Sequence, residues 1–238
     1  MKTIKLFFVS SVALLMGATS CVKDTIDGNG IVTSEGRIAN SFDKVKSSGD
    51  FEVHITSGDS HEVIVSAEEN VIPYIETRVY NGTLNIDTDN LTRIKNTLPM
   101  EVFITTPELE GIKLSGSGII TTDYFTCDNM DILLSGSGRI ITACNADEVE
   151  ALVSGSGSVT ISGVTNDADF AISGSGEIDA IDLSSIDCHT ATSGSGDMWI
   201  SVDHHLKAHI SGSGNVFYYG QPEVETAISG SGNVINNN

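Results

Sequence analysis

Ala168-Asp169-Phe170-Ala171-Ile172-Ser173-Gly174-Ser175-Gly176-Glu177-Ile178 holds the tetrapeptide on which the reading of this chain turns. Ser-Gly-Ser-Gly begins at Ser115, Ser135, Ser154, Ser173, Ser193, Ser211 and Ser229, in steps of 20, 19, 19, 20, 18 and 18 residues. So regular a period belongs to an architecture in which each repeat stacks only on its neighbours.

With the first Ser of each motif counted as zero, position minus one holds Leu114, Leu134, Val153, Ile172, Thr192, Ile210 and Ile228. Position minus three holds Ile112, Ile132, Ala151, Phe170, Thr190, Ala208 and Thr226, and minus five adds Met130, Val149, Ala168, Cys188, Leu206 and Val224. Beyond the motif the same parity resumes at plus five with Ile120, Ile140, Val159, Ile178, Met198, Val216 and Val234. A period of two, rich in Val and Ile and punctuated by Gly, is strand geometry with one face buried. A strand-helix-strand crossover takes ~30 residues or more, so these coils are too short for one. The fold class is therefore all-β: a parallel β-helix, or β-solenoid, with an atypical β-rich N-terminal capping segment. At roughly 4.8 Å per strand its seven copies make a rod on the order of 34 Å long.

The motif glycines share the parity of the core. Either they point inward where the coil is too tight for a side chain, or they form a bend with positive φ. On both readings Val at Gly174 or Gly176 destabilises the coil. On the first, the serines face water in two ladders, which suits a scaffold of small polar turn residues.

The start of the chain reads as an export leader, with Lys2 and Lys5 ahead of an apolar run over residues 6–16 and small residues before Cys21. That run is too short for a bilayer core of ~30 Å, so residues 1–20 are expected to be a cleaved signal peptide. Small residues directly before Cys form a lipobox-like site. Cys21 is the expected lipidation residue, and residues 21–36 the tether to the fold. Cell-envelope placement as an outer membrane lipoprotein follows, with surface exposure suggested by Asp24 and Asp27. The membrane is then a partner through the lipid.

Net charge is −20, and −22 once Lys2 and Lys5 leave with the signal. Lys207 is the only Lys or Arg beyond Arg139, so no nucleic-acid partner is expected. Cys127, Cys144 and Cys188 remain after lipidation, an odd count that argues against a disulfide framework. Cys127 and Cys144 lie on neighbouring coils but out of step.

Residues 37–105 form the expected cap or first coils, with strand-like runs at 51–55, 61–66, 75–80, 84–87 and 101–105 and a hairpin turn at Asn81-Gly82. Within them Val45-Lys46-Ser47-Ser48-Gly49-Asp50-Phe51-Glu52-Val53 looks like a worn copy of the repeat. The solenoid proper is expected over 106–238. Little sequence follows the last motif, so its strand edge must be blunted by polar side chains or paired, and homo-oligomers are open.

Taken together, Arg37, Phe42-Asp43, Val45, Glu69-Asn70, Gly82-Thr83-Leu84, Ile86, the serial motifs and Tyr219-Gly220 with Pro222 resemble the bacterial family called putative auto-transporter adhesin, head GIN domain. The resemblance spans about residues 37–238 and implies an exported, often lipidated β-helix with an adhesin role and no assigned functional residues. An Asp follows the motif in many members, whereas here only Asp197 does.

Catalytic, cofactor-binding and metal residues are all expected to be absent. Outward positions minus six and minus four are acidic in several coils. A solvated face is the preferred reading, and Ca²⁺ held by Glu148, Glu150, Asp167 and Asp169 is the alternative. His204, His205 and His209, with Asp203, invite a metal reading, but His205 and His209 would lie about 13 Å apart along a strand, too far to share an ion. No His recurs beside the motif serines to activate one as a nucleophile. Trp199, Phe217, Tyr218 and Tyr219 offer either cross-strand packing or a sugar platform. The expected function is a non-enzymatic, lipid-anchored β-solenoid that binds glycan, protein or its own copies through many weak contacts. The alternatives are a polysaccharide lyase or hydrolase on a β-helix, or a purely structural or sensing envelope protein.

Overall fold

The computed structural model describes residues 24–89 and 92–238. Cys21 and the expected leader lie outside them. The strands are β1 (Asp24–Asp27), β2 (Val32–Arg37), β3 (Lys44–Gly49), β4 (Glu52–Ser57), β5 (Glu62–Glu68), β6 (Ile75–Tyr80), β7 (Thr83–Thr88), β8 (Thr92–Lys95) and β9 (Glu101–Thr106). They continue as β10 (Gly111–Gly116), β11 (Ile119–Gly136), β12 (Arg139–Gly155), β13 (Ser158–Gly174), β14 (Glu177–Gly194), β15 (Asp197–Gly212), β16 (Val216–Tyr219), β17 (Glu223–Gly230) and β18 (Val234–Asn236).

From β10 onward each strand pairs in parallel with the next turn. Ser115, Ser135, Ser154, Ser173, Ser193, Ser211 and Ser229 are consecutive register partners, as are the glycines that follow them. The expected β-solenoid is therefore the observed fold. Steps of unequal length leave the motif untouched. Extra or missing residues are absorbed elsewhere in the coil, between Thr121 and Tyr124, Thr160 and Gly163, and Ala180 and Asp187.

The inward columns behave as their parity requires. Leu114, Leu134, Val153, Ile172 and Ile210 are buried at minus one, and Ile120, Ile140, Val159, Ile178, Met198 and Val216 at plus five. Each apolar side chain removed from water contributes about 1.5–3 kcal/mol before the cost of ordering it. In β14, Thr190 and Thr192 occupy the inward positions minus three and minus one, and their buried hydroxyls have no hydrogen-bond partner among the described residues. Each is a local weakness of about 1–3 kcal/mol.

The two readings of the motif glycines both hold, one for each glycine. Gly174 has φ +130° and is a bend residue, while Gly176 is buried and lacks positive φ. A Cβ on Gly174 would stand 2.5 Å from the carbonyl oxygen of Gly155 in the turn before. On Gly176 it would stand 2.5 Å from Val153 Cγ1 and 2.7 Å from the Gly157 oxygen. That closeness serves a hydrogen bond, because the Gly155 carbonyl accepts from Ser175 N–H at 2.9 Å. Both serines of each motif through Ser213 are exposed.

The worn copy is a turn of the solenoid. Val45, Ser48 and Gly49 in β3 pair with Ile112, Ser115 and Gly116, and Val53 in β4 pairs with Ile120. Phe51, fully buried, stands where later turns carry the second glycine, and its carbonyl accepts from Ile119 N–H at 2.8 Å. Below this turn β7 adds in parallel to β3 and β9 to β4. Antiparallel β6 then pairs β7 through a turn at Asn81 (φ 48°) and Gly82 (φ 73°), as Asn-Gly foretells. Antiparallel β5 covers the edge of β9, and β2 covers β5.

Within residues 21–36, where the sequence suggests a tether, β1 pairs with β8 and β2 joins the main sheet. Their anchor is Glu68, only 1 % exposed, which accepts from the Thr97 hydroxyl at 2.6 Å, Thr97 N–H at 2.8 Å and Gly30 N–H at 2.7 Å. These bonds, foremost the Thr97 hydroxyl, hold its pKa below the ordinary glutamate value. The far end is bare by contrast: Val224 and Ile228, on inward columns, are 37 % and 46 % exposed. Asn238 blunts it in part, bonding Gly220 N–H at 2.9 Å and Gly220 carbonyl at 2.6 Å.

Gly174→Val combines a β-branched side chain at positive φ with a backbone clash. It is expected to cost about 3 kcal/mol or more, lowering Tm by roughly 6 °C or more. Gly176→Val is expected to cost a similar amount by overpacking alone. Gly36, exposed with nothing within 4 Å of its would-be Cβ, should accept Ala with little change in the same melting experiment.

Candidate functional site

Because successive turns are in register, each outward position becomes a column running the length of the rod. Position minus two gives Lys113, Leu133, Leu152, Ala171, Ala191, His209 and Ala227. Beside it lie the serines at zero on one flank. The other flank is position minus four, with Asp131, Glu150, Asp169, His189, Lys207 and Glu225.

Small side chains in the middle column, between taller neighbours, leave a trough. Over Leu152, Ala171, Ala191, His209 and Ala227 it holds about 670 Å³, with Ser173, Ser193, Ser211 and Ser229 along its rim. A second trough of about 370 Å³ adjoins it between Leu152, Ala171 and Ala191 and the polar side chains Glu150, Asp169, His189 and Lys207. The floor is apolar, one rim carries hydroxyls and the other carries charge. The sequence contains this signal at minus two, where five of the seven outward residues are Leu or Ala.

The acidic column is not uniformly repulsive. Lys44 reaches across the side-chain-free Gly111 to Asp131, Nζ to Oδ2 3.1 Å, and that hydrogen bond foremost raises the lysine pKa. His189 Nδ1 lies 3.3 Å from Asp169 Oδ1, and His204 Nδ1 2.8 Å from Asp187 Oδ1. Glu148, Asp167, Asp169 and Asp187 line a small groove of about 170 Å³ with His189. Among the described residues, the carboxylates Glu148, Glu150, Asp167 and Asp169 do not converge as a set of ligands, whereas Glu52, His54 and Glu101 do, within 4.8 Å of one another. That trio went unseen in the sequence because β4 and β9 are far apart along the chain and meet only on folding.

His205 and His209 lie along β15 on separate register positions, opposite Asp187 and Ala191. Trp199 and Phe217 stack across neighbouring turns at 5.3 Å and 11°. Both rings are half-buried, as cross-strand packing requires. Asp197 accepts from Asn215 N–H at 2.7 Å and from its side-chain amide at 2.9 Å, and Asn233 continues the ladder to Asn215 at 3.3 Å. The lone Asp after a motif is thus taken up in holding turns together.

Cys127, Cys144 and Cys188 are free thiols. Cys127 pairs in register with Ala146, and Cys144 with Phe125, two positions away. Burial pushes Cys127 up to about 11 and Cys144 up to about 12, and Cys188 still higher. A nucleophilic cysteine needs its thiolate near neutral pH, which these sites oppose.

A family model described as putative auto-transporter adhesin, head GIN domain, matches residues 41–222. The chain superposes on the crystal structure of a putative adhesin from Bacteroides fragilis with TM-score 0.83 at 22% identity, covering 89% of this chain and 99% of that one. A putative adhesin from Parabacteroides merdae gives TM-score 0.72 at 20% identity, over 90% and 100% of the two chains. A putative lipid binding protein from Parabacteroides distasonis gives 0.71 at 23% identity, again over 90% and 100%. At these identities the three share the fold. No curated protein matches the sequence.

Raised thiol pKa values keep the thiolate scarce below them and let it accumulate as pH climbs toward about 11 at Cys127. Alkylation of the native protein by iodoacetamide at pH 8 is therefore expected to be slow at all three thiols. Labelling should rise with pH at half-buried Cys127 first, and denaturant should expose all three, as intact mass would report.

Proposed function

The chain belongs to the family described as putative auto-transporter adhesin, head GIN domain, and from that membership we propose a non-enzymatic binding protein of the cell envelope. It is held to the outer membrane by lipid on Cys21 and presents the trough of its solenoid to a neutral glycan. The observation that carries this reading is the trough of about 670 Å³ across five turns, with an apolar floor and a serine rim.

A sugar chain presents C–H faces and hydroxyl edges, which match an apolar floor flanked by hydroxyls and by carboxylate acceptors at Glu150 and Asp169. A protein strand would seek unpaired backbone groups, and those of the trough are already spent between turns. Net charge of −20 disfavours anionic glycans. Each turn contributes a weak contact, and an extended ligand spanning several turns gains by avidity. Copies of the chain would meet at the other unpartnered surface, the last turn with exposed Val224 and Ile228.

An enzyme on the same frame would need a nucleophile or acid held by a partnered base. Among the described residues no hydrogen bond joins a trough serine to a histidine, and the reading proposed is of binding without turnover.

Two measurements test the proposal separately. Leu152→Asp with Ala191→Asp, both outward changes, is expected to weaken binding to an array of neutral glycans by tenfold or more while Tm moves little; binding equal to the parent's would refute the trough. Cys21→Ser is expected to abolish incorporation of labelled palmitate and release the protein from membranes, and undiminished labelling would remove the anchor.

A further inference from the structure

Glu52 and Glu101 face each other on parallel strands β4 and β9, and His54 follows Glu52 on the same outward side. A ring nitrogen of His54 and one carboxylate oxygen from each glutamate all lie within 4.8 Å of one another. Like charges directly opposite across a strand pair repel. Neither carboxylate has a cation or hydrogen-bond donor among the described residues, unlike Glu68 or Asp131.

The histidine is held ready. Thr121 Oγ1 lies 3.0 Å from His54 Nδ1 and 3.4 Å from the Val53 carbonyl, so in the tautomer with its proton on Nδ1 the ring N–H donates to the hydroxyl and the hydroxyl to the carbonyl. Nε2 then keeps a bare lone pair. Phe103 stacks on the ring at 5.2 Å and 18°, fixing its plane. A metal-bound imidazole needs this arrangement, with one nitrogen free to coordinate and the other tied by a hydrogen bond that sets tautomer and orientation.

We propose that Glu52, His54 and Glu101 bind a first-row divalent transition metal ion of the zinc class, which clips cap strand β9 to β4 of the first solenoid turn. One imidazole nitrogen with two carboxylate oxygens is a borderline ligand set: Ca²⁺ and Mg²⁺ want oxygen alone, and Zn²⁺ accepts the mixture at about 2.0–2.2 Å. The ion neutralises the facing carboxylates and joins segments separated by the whole of the cap. Three protein ligands leave a fourth position for water or an incoming donor. This site stands at plus four and plus six of the coil, on columns other than those of the trough, so it does not depend on the glycan reading.

The test is thermal unfolding of the purified, chelator-treated protein titrated with ZnCl₂, CaCl₂ or MgCl₂. Zn²⁺ is expected to raise Tm by several degrees at micromolar levels, and Ca²⁺ and Mg²⁺ to leave it unmoved at the same levels. The shift should vanish in Glu101→Gln and His54→Gln and persist in His189→Gln/His204→Gln, which removes exposed histidines elsewhere. A Zn²⁺ shift that survives Glu101→Gln and His54→Gln, or no shift in the parent up to millimolar Zn²⁺, overturns the proposal. Co²⁺ uptake gives a second readout free of any folding defect at His54: the parent should acquire the visible absorption of a bound, low-coordinate ion and Glu101→Gln should not. A colourless parent likewise counts against the site.

Discussion

Backbone meets backbone at the motif, and the rest of the molecule is arranged around that contact. The carbonyl of the first glycine in each motif accepts the N–H of the second serine one turn later, as in Ser137 to Gly116 at 2.9 Å and Ser195 to Gly174 at 2.8 Å. Nothing larger than hydrogen fits on the α-carbon between them, since a Cβ at Gly136 would lie 2.4 Å from the Gly116 oxygen. A bend this tight needs a residue free to take positive φ, and glycine takes it at no steric cost. One column of hydrogen bonds therefore fixes the register of every turn.

Fixed register is what aligns the outside into columns. A slip of one residue would turn each strand over and scatter its columns. With the motif pinned, length differences between coils move to the far bend, where register shifts at Ala180 and Ser184 absorb them. Small residues at minus two then fall in line as a trough, and the flanking carboxylates find partners, Asp131 in Lys44 and Asp169 in the His189 ring. A groove that spans turns is a property of the stack and belongs to no single repeat.

The two ends answer the problem of an open solenoid differently. At the start, Phe51 fills the core, antiparallel β5 and β2 cover the edge, and Glu68 ties surrounding loops with a carboxylate satisfied by Thr97 and Gly30. At the other end the inward columns of β17 reach solvent. Stability is accordingly expected to fall along the rod from cap to open turn, because interior turns have a partner on both faces. Divalent metal at Glu52, His54 and Glu101 would reinforce the end that already holds best.

The β-solenoid, its inward columns, the Asn81-Gly82 hairpin and the strands at residues 52–57, 62–68, 75–80 and 83–88 were legible in the sequence, because period, parity and turn chemistry are local and repeat. Local pattern also showed Val45 to Val53 as a worn repeat, although β1 and β2, the one short and the other exposed over all but Arg37, left no such mark. Folding alone decided which glycine bends and which is packed, since both share one parity and differ only in what the preceding turn places against them. It alone brought Glu101 against Glu52 and His54 and merged single alanines into a trough. These depend on contacts between residues remote along the chain, and such distances acquire meaning only once the turns are stacked.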